Sequence, residues 1–304
     1  MFGKKGIGGA TPPKLHSIIV RRAALAEGCD PYSLTGDVVA FVNHALSEAL
    51  FERGEVPQEA MQAFHVDYYI SQVSNGGHGQ FAHNSDWSEP VIADVREGLA
   101  RLDLPAAAEL FGSLASFALV EPARFGQVCA AAGFGAADPF ISALDQRLFA
   151  LCDDLRAALH RWIGGLPCLV ALDDEQYRDA MTKLGAQNPR LAQRKAGMDK
   201  QLADRRDSDP LYQAMRFVCH VTPPGVRFER LLGAHPSPDA DDPGVCFRML
   251  TSRGPARLYL YGPKAALWIE GEQKPRGKVP MAMVDAYLAR KGLELSDQVK
   301  RGEL

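Results

Sequence analysis

The side chains most able to do chemistry are the histidines His65, His78 and His83, with Asp67 between the first two. A protein-bound metal needs three or four converging ligands, usually His, Cys or carboxylate. His78 and His83 stand five apart, which is poor spacing for one helical face, and no H-E-x-x-H is present. The spacing predicts hydrogen-bonded or surface histidines and no bound metal. A metal-dependent hydrolase using His78 and His83 stays open as the enzyme alternative. No G-x-S-x-G elbow, S-x-x-K, phosphate loop or strand-flanked G-x-G-x-x-G occurs. Gly3, Gly6, Gly8 and Gly9 precede any strand and read as a flexible tail. The six cysteines (Cys29, Cys129, Cys152, Cys168, Cys219 and Cys246) form no C-x-x-C pair, and several sit among apolar neighbours, which predicts reduced, buried thiols. No catalytic residue and no cofactor is assigned on this basis.

One segment is more specific. From Tyr68 to Ser85 an aromatic helix end meets Asn75-Gly76-Gly77, followed by Gln80, Phe81 and Asn84 at helical spacing. Glycine takes the left-handed conformation that ends a helix, so Gly76 and Gly77 predict a stop there. Gln80 and Asn84 can satisfy backbone groups left unpaired at helix ends. They can equally line a ligand pocket with Tyr68. This segment resembles the N-G-G-aromatic-x-Q-aromatic-x-x-N signature of a bacterial domain family whose described member is a DNA-mimic protein. Asn75, Gly76, Gly77, Gln80, Phe81 and Asn84 match, and His78 stands where an aromatic is usual. The helix Ile141 to Trp162, with Leu144-Asp145 near its start, resembles the family's later helix, so the resemblance covers roughly residues 36–166. It implies an all-helical domain and a DNA-binding protein as partner, and it carries over no catalytic residue.

Charge is unevenly distributed. Residues 31–180 hold 21 Asp and Glu against 8 Arg and no Lys, while residues 1–30 and 181–304 are both net basic. Such asymmetry points to a partner chosen by charge. On the long helix, Asp145, Asp153 and Asp154 are balanced by Arg147, Arg156 and Arg161, so an acidic surface must use other faces. The candidates are Glu48, Glu52 and Glu55 at four- and three-residue steps, Asp94 with Glu97, and Asp173-Asp174-Glu175 with Asp179.

The elements that position these groups follow from periodicity. Val38, Phe41, Val42, Ala45, Leu46 and Ala49 mark one helix face, and Met61, Phe64 and Tyr68 continue a second helix after Pro57. Asp86 or Ser88 opens a third helix, through Leu102, and residues 105–119 form a fourth. From Asp138 to Trp162, Ile141, Leu144, Leu148, Leu151, Leu155, Leu159 and Trp162 form a near-heptad stripe, ended by Gly164-Gly165. The last hundred residues alternate instead. Val245–Met249, Leu258–Tyr261 and Ala265–Ile269 read as antiparallel strands, followed by a helix from Val279 to Lys291, with His235 to Gly244 a polar loop.

The expected architecture is mainly α: an N-terminal helical bundle followed by a smaller α+β domain with a short antiparallel sheet. Its divisions are a flexible basic tail 1–30, an acidic helical domain 31–170, a charged helical connector 171–206 and the α+β domain 207–304. No apolar run approaches the roughly 18 residues of a membrane span, and the first residues lack a signal peptide's apolar core, so the expected location is the cytoplasm. The favoured function is a non-catalytic, regulatory binding protein whose acidic domain occupies a basic surface of a partner protein. An inhibitor or immunity-type protein is a further alternative. So is a nucleic-acid binder using Arg248, Arg253, Arg257, Lys264, Lys274, Arg276 and Lys278 beside Tyr259 and Tyr261, which the modest positive charge there disfavours.

Overall fold

The computed structural model describes residues 13–131, 138–222, 225–236, 245–261, 263–272, 274–297 and 299. The chain divides into two compact units, Met1–Lys195 and Ala196–Leu304.

Unit 1 begins with strand β1 (Ile18–Arg21), which pairs in parallel with β2 (Leu169–Leu172), Ile18 opposite Leu169 and Arg21 opposite Leu172. For residues 13–30 this corrects the expectation of a flexible tail. Leu15, Ile18, Val20 and Ala24 are buried in the core of the unit, and residues 1–12 lie outside the described residues. The β-branched run Ile18-Ile19-Val20 suits a strand, but its partner lies some 150 residues away and leaves no local trace.

Helix α1 (Pro31–Ser47) starts at a cap rather than at Gly36: the Asp30 carboxylate accepts from the Tyr32 N–H at 2.9 Å, and Pro31 takes the first helical position. Then come α2 (Gln58–Asn84), α3 (Glu89–Arg101), α4 (Pro105–Val120), α5 (Pro122–Ala130) and α6 (Pro139–Gly164). The near-heptad stripe makes α6 the spine of the bundle. Ile141, Leu144, Leu148, Cys152, Leu155 and Leu159 are buried against α1, α2 and α4. Each large side chain buried there contributes about 1.5–3 kcal/mol relative to exposure. Asp138 caps α6 by accepting from the N–H groups of Phe140 and Ile141.

The stretch read as a connector, 171–206, belongs to this unit as far as Lys195. After α7 (Asp174–Lys183), Leu184 is buried, and Asn188 Nδ2 donates to the carbonyls of Ala49 (2.7 Å) and Leu50 (3.0 Å). Those carbonyls follow the end of α1, and the Leu50 carbonyl also accepts from Arg194 Nη1 at 2.8 Å. Helix α8 (Leu191–Ser208) follows, and the division between the units falls within it.

Unit 2 continues with α9 (Pro210–Val221), capped by Asp209. Five strands follow: β3 (Phe228–Pro236), β4 (Val245–Thr251), β5 (Gly254–Tyr261), β6 (Lys264–Ile269) and β7 (Gly277–Pro280). They form an antiparallel meander in chain order, with β3 and β7 added to the three strands read from sequence. His235 and Pro236 close β3, and the rest of the expected polar loop lies outside the described residues. Met215 and Val218 of α9, with Val284 and Leu288 of α10 (Met281–Ala289), pack on Phe247, Leu258 and Leu267.

Candidate functional site

The Asn75-Gly76-Gly77 segment breaks helix α2 without ending it. Gly76 (φ −154°, ψ 23°) and Gly77 (φ 78°, ψ −179°) leave helical geometry, and the chain re-enters it at His78. Gly77 lies in a backbone region that is essentially glycine's alone. The break frees backbone donors, and α6 supplies their acceptor. Asp145 Oδ1 accepts from the His78 backbone N–H at 2.8 Å and from His78 Nδ1 at 2.6 Å. The approach is close enough that a Cβ on Gly77 would stand 2.5 Å from Asp145 Oδ2.

The His78 ring is fully buried, and its Nε2 lies 2.8 Å from the Tyr69 hydroxyl. With a carboxylate on Nδ1, the hydrogen-bond pattern assigns the ring proton there, so Tyr69 donates to Nε2. Burial, with Asp145 and Cys152 nearby, pushes the Tyr69 hydroxyl strongly upward in pKa, so it remains a donor. Both ring nitrogens are therefore occupied. His83 is exposed and lies 3.0 Å from the Cys129 carbonyl through Nδ1. Among the described residues no group of three or more His, Cys, Asp or Glu is gathered as a metal would need.

The remaining motif residues brace the break. Gln72 Oε1, before it, accepts from Gln80 Nε2 (2.9 Å) and Asn84 Nδ2 (2.6 Å), after it. Phe81 enters a ring cluster, edge-on to Tyr69 at 5.0 Å and to Phe111 at 6.2 Å. Tyr68 lies 6.0 Å from Phe81, and Asn75 is exposed. Gln80 and Asn84 thus each place an amide hydrogen on Gln72. Tyr69, Asp145 and Gln72 are the members of this lock that sequence reasoning left without a role. Asp145 is visible in the sequence only as part of a balanced charge pattern along α6 and of the Leu144-Asp145 pair that resembles the family's later helix.

The acidic candidates separate by environment. Glu48, Glu52 and Glu55 do not share a helix face, because α1 ends at Ser47 and residues 53–55 form a 3-10 turn. Glu55 is only 4% exposed. It takes Arg194 through two bonds, Nη1 to Oε2 at 2.5 Å and Nη2 to Oε1 at 2.9 Å, while Glu52 accepts from the same guanidinium at 2.8 Å. The bond from Arg194 holds the Glu55 carboxyl below the usual carboxylate range against the cost of its burial. Asp94 is 2% exposed, between Arg53 (2.5 Å) and His65 (2.6 Å). A buried, paired carboxylate offers little charge to a partner, so Glu55 and Asp94 are corrected from partner-binding candidates to interior ion pairs.

Glu97 is exposed and accepts from Gln58 and Gln62, both uncharged, so its charge is not neutralised by them. Asp173 pairs with Arg22 and Asp179 with Lys183 at the surface. Glu48, Asp174 and Glu175 are exposed and make no ion pair with a described residue. Asp174 and Glu175 also lie in the first turn of α7, where a helix favours negative charge.

The helical unit is thus locked by a chain of buried Tyr69, buried His78 and half-buried Asp145, with surplus carboxylates outside. A family model described as DMP19-like protein matches residues 54–165, from the turn before α2 to the end of α6. The matched stretch holds the whole lock. Neither a curated protein nor a solved structure matches the chain. No helix among the described residues is long and apolar enough to cross a membrane.

Proposed function

We propose that unit 1 is a non-catalytic binding module whose exposed carboxylates occupy the basic surface of a DNA-binding protein in place of DNA. The observation that carries this is the surface charge. Of the 21 carboxylates in residues 31–180, 14 are exposed, against 6 exposed arginines. The likeness to the DMP19-like family, a DNA mimic-like family, supports the same reading. Complementary charge speeds encounter and selects partners. The buried lock supports a scaffold role, because it uses its polar atoms on one another. The hydrolase alternative would need His78 released from both Tyr69 and Asp145.

The test is competition. Proteins captured from the source organism by the whole chain are challenged with duplex DNA. Mutual exclusion between the chain and DNA on a captured protein is the expected result. A partner that holds both at once, at unchanged affinity, overturns the reading.

A further inference from the structure

The sheet of unit 2 has two faces, and helices account for one. Phe247, Met249, Leu258, Leu267 and Val279 point to α9 and α10. Side chains alternate along a strand, so Arg230, Arg248, Arg257, Lys264 and Lys278 fall on the opposite face, at register positions running from β3 to β7. Arg248 and Arg257 are directly opposite one another across β4 and β5, and both are exposed. Like charges so placed are destabilising unless something neutralises them. Arg248 makes no ion pair with a described residue, and Arg257 reaches Glu270 at 4.0 Å. Glu229, in the bulge between Phe228 and Arg230, is paired with Arg227.

Aromatic rings lie among these cations. Trp268 is opposite Arg257 on β6, and Tyr259 meets it edge-on with ring centroids 6.5 Å apart. Tyr259 stands opposite Cys246 on β4, and burial pushes its hydroxyl up in pKa. Both rings are half-buried. Arg253 falls in the β4–β5 turn and Lys274 and Arg276 beyond β6, so the basic residues picked out in the sequence do not all share this face.

We propose that this outer sheet face binds single-stranded nucleic acid, with phosphates on Arg248, Arg257 and Lys278 and bases against Trp268 and Tyr259. Cations beside aromatic rings are the general means of holding unpaired strands. A duplex keeps its bases stacked on each other, and a bare polyanion has none, so neither would use the two rings. The proposal is independent of the acidic surface of unit 1.

The test is fluorescence anisotropy of the full chain with labelled oligo-dT and oligo-rU of about 15 nucleotides, within the range of single-strand sites. Three phosphate contacts imply a salt slope near −2, so affinity should fall roughly 20-fold from 50 to 200 mM salt. Arg248→Glu with Arg257→Glu should weaken binding at least about tenfold, since it inverts two of those contacts. Trp268→Ala should weaken it at least about fivefold, and Trp268→Phe much less. If Trp268→Ala does not fold, the arginine variant decides, because it changes exposed side chains. A preference for either sugar supports the proposal and identifies the strand. No binding at 50 mM salt, unchanged binding by the arginine variant, or equal binding of linear polyphosphate or a duplex overturns it.

Discussion

Asp145 Oδ1 accepts two hydrogen bonds from one residue, His78, through its backbone N–H and its ring Nδ1. The pair joins α6 to the interrupted α2, and Tyr69 extends it further into the core. Asp145→Ala should leave both His78 donors unpaired in a buried site, at about 1–3 kcal/mol for each unsatisfied group. Tyr69→Phe removes a single net hydrogen bond and should cost about 1 kcal/mol. Urea denaturation followed by circular dichroism gives both values. Equal stability of Asp145→Ala and the parent chain would show that the contact does not hold the break together.

The two glycines of the break should respond differently to a methyl group. At Gly77 an alanine meets both a glycine-only backbone region and Asp145 Oδ2, so a loss of about 1–3 kcal/mol from strain alone is expected, with the clash in addition. At Gly76 φ is negative, and the nearest obstruction is the end of the Gln80 side chain, which can swing away. Gly76→Ala should therefore cost less than Gly77→Ala. Thermal midpoints of the two variants check the order, and the reverse order would misplace the strained residue.

How much of this was legible in the sequence depends on how far away the partner lies. The α6 stripe and the alternation in β4 to β6 are local; the sequence places α6, β4 and β6 at nearly their observed bounds but shows only the second half of β5. Asn75-Gly76-Gly77 announced a departure from helix, but a stop and a kink share the same local signal. What distinguishes them is Asp145, 67 residues on, which supplies the acceptor the re-entering helix needs. Glu55 and Asp94 looked like surface charge for the same reason. Their cations, Arg194 for one and Arg53 for the other, reveal themselves only once the chain is folded. The parallel pairing of β1 with β2 closes nearly the whole length of unit 1 and has no signature shorter than that loop.

The Glu55–Arg194 pair should set part of the acid limit of unit 1. A carboxyl whose folded pKa is lowered contributes stability above its unfolded value, about 4.3, and loses it as pH falls through the folded one. Glu55→Gln should cost about 1–3 kcal/mol at pH 7, from bonds to a charged group. The difference from the parent chain should shrink below about pH 4 and vanish once both forms carry an uncharged side chain. Urea titrations from pH 7 to pH 3 follow that convergence. A constant difference across the range would mean that Glu55 acts through shape rather than charge.

The acidic surface is best tested where charge can change without disturbing the fold, which excludes Glu55 and Asp94. Glu48, Asp174 and Glu175 are exposed and make no ion pair with a described residue, so reversing all three to Lys alters the field of unit 1 with little penalty. Exposed charges contribute about 0–1 kcal/mol per pair, and the loss of two acidic groups from the first turn of α7 adds a few tenths each, about 0.3–1 kcal/mol. If carboxylates on this surface occupy a basic partner, the variant should associate more slowly with the protein recovered by DNA competition. Its dissociation should change less, because long-range charge acts mainly on encounter. Raising salt should reduce the parent chain's on-rate toward that of the variant, since screening is strong beyond about 8–10 Å at physiological ionic strength. Surface plasmon resonance at low and high salt reads both rates. Identical on-rates for parent and variant at low salt would mean that the partner is not chosen by these carboxylates, whatever else on unit 1 it touches.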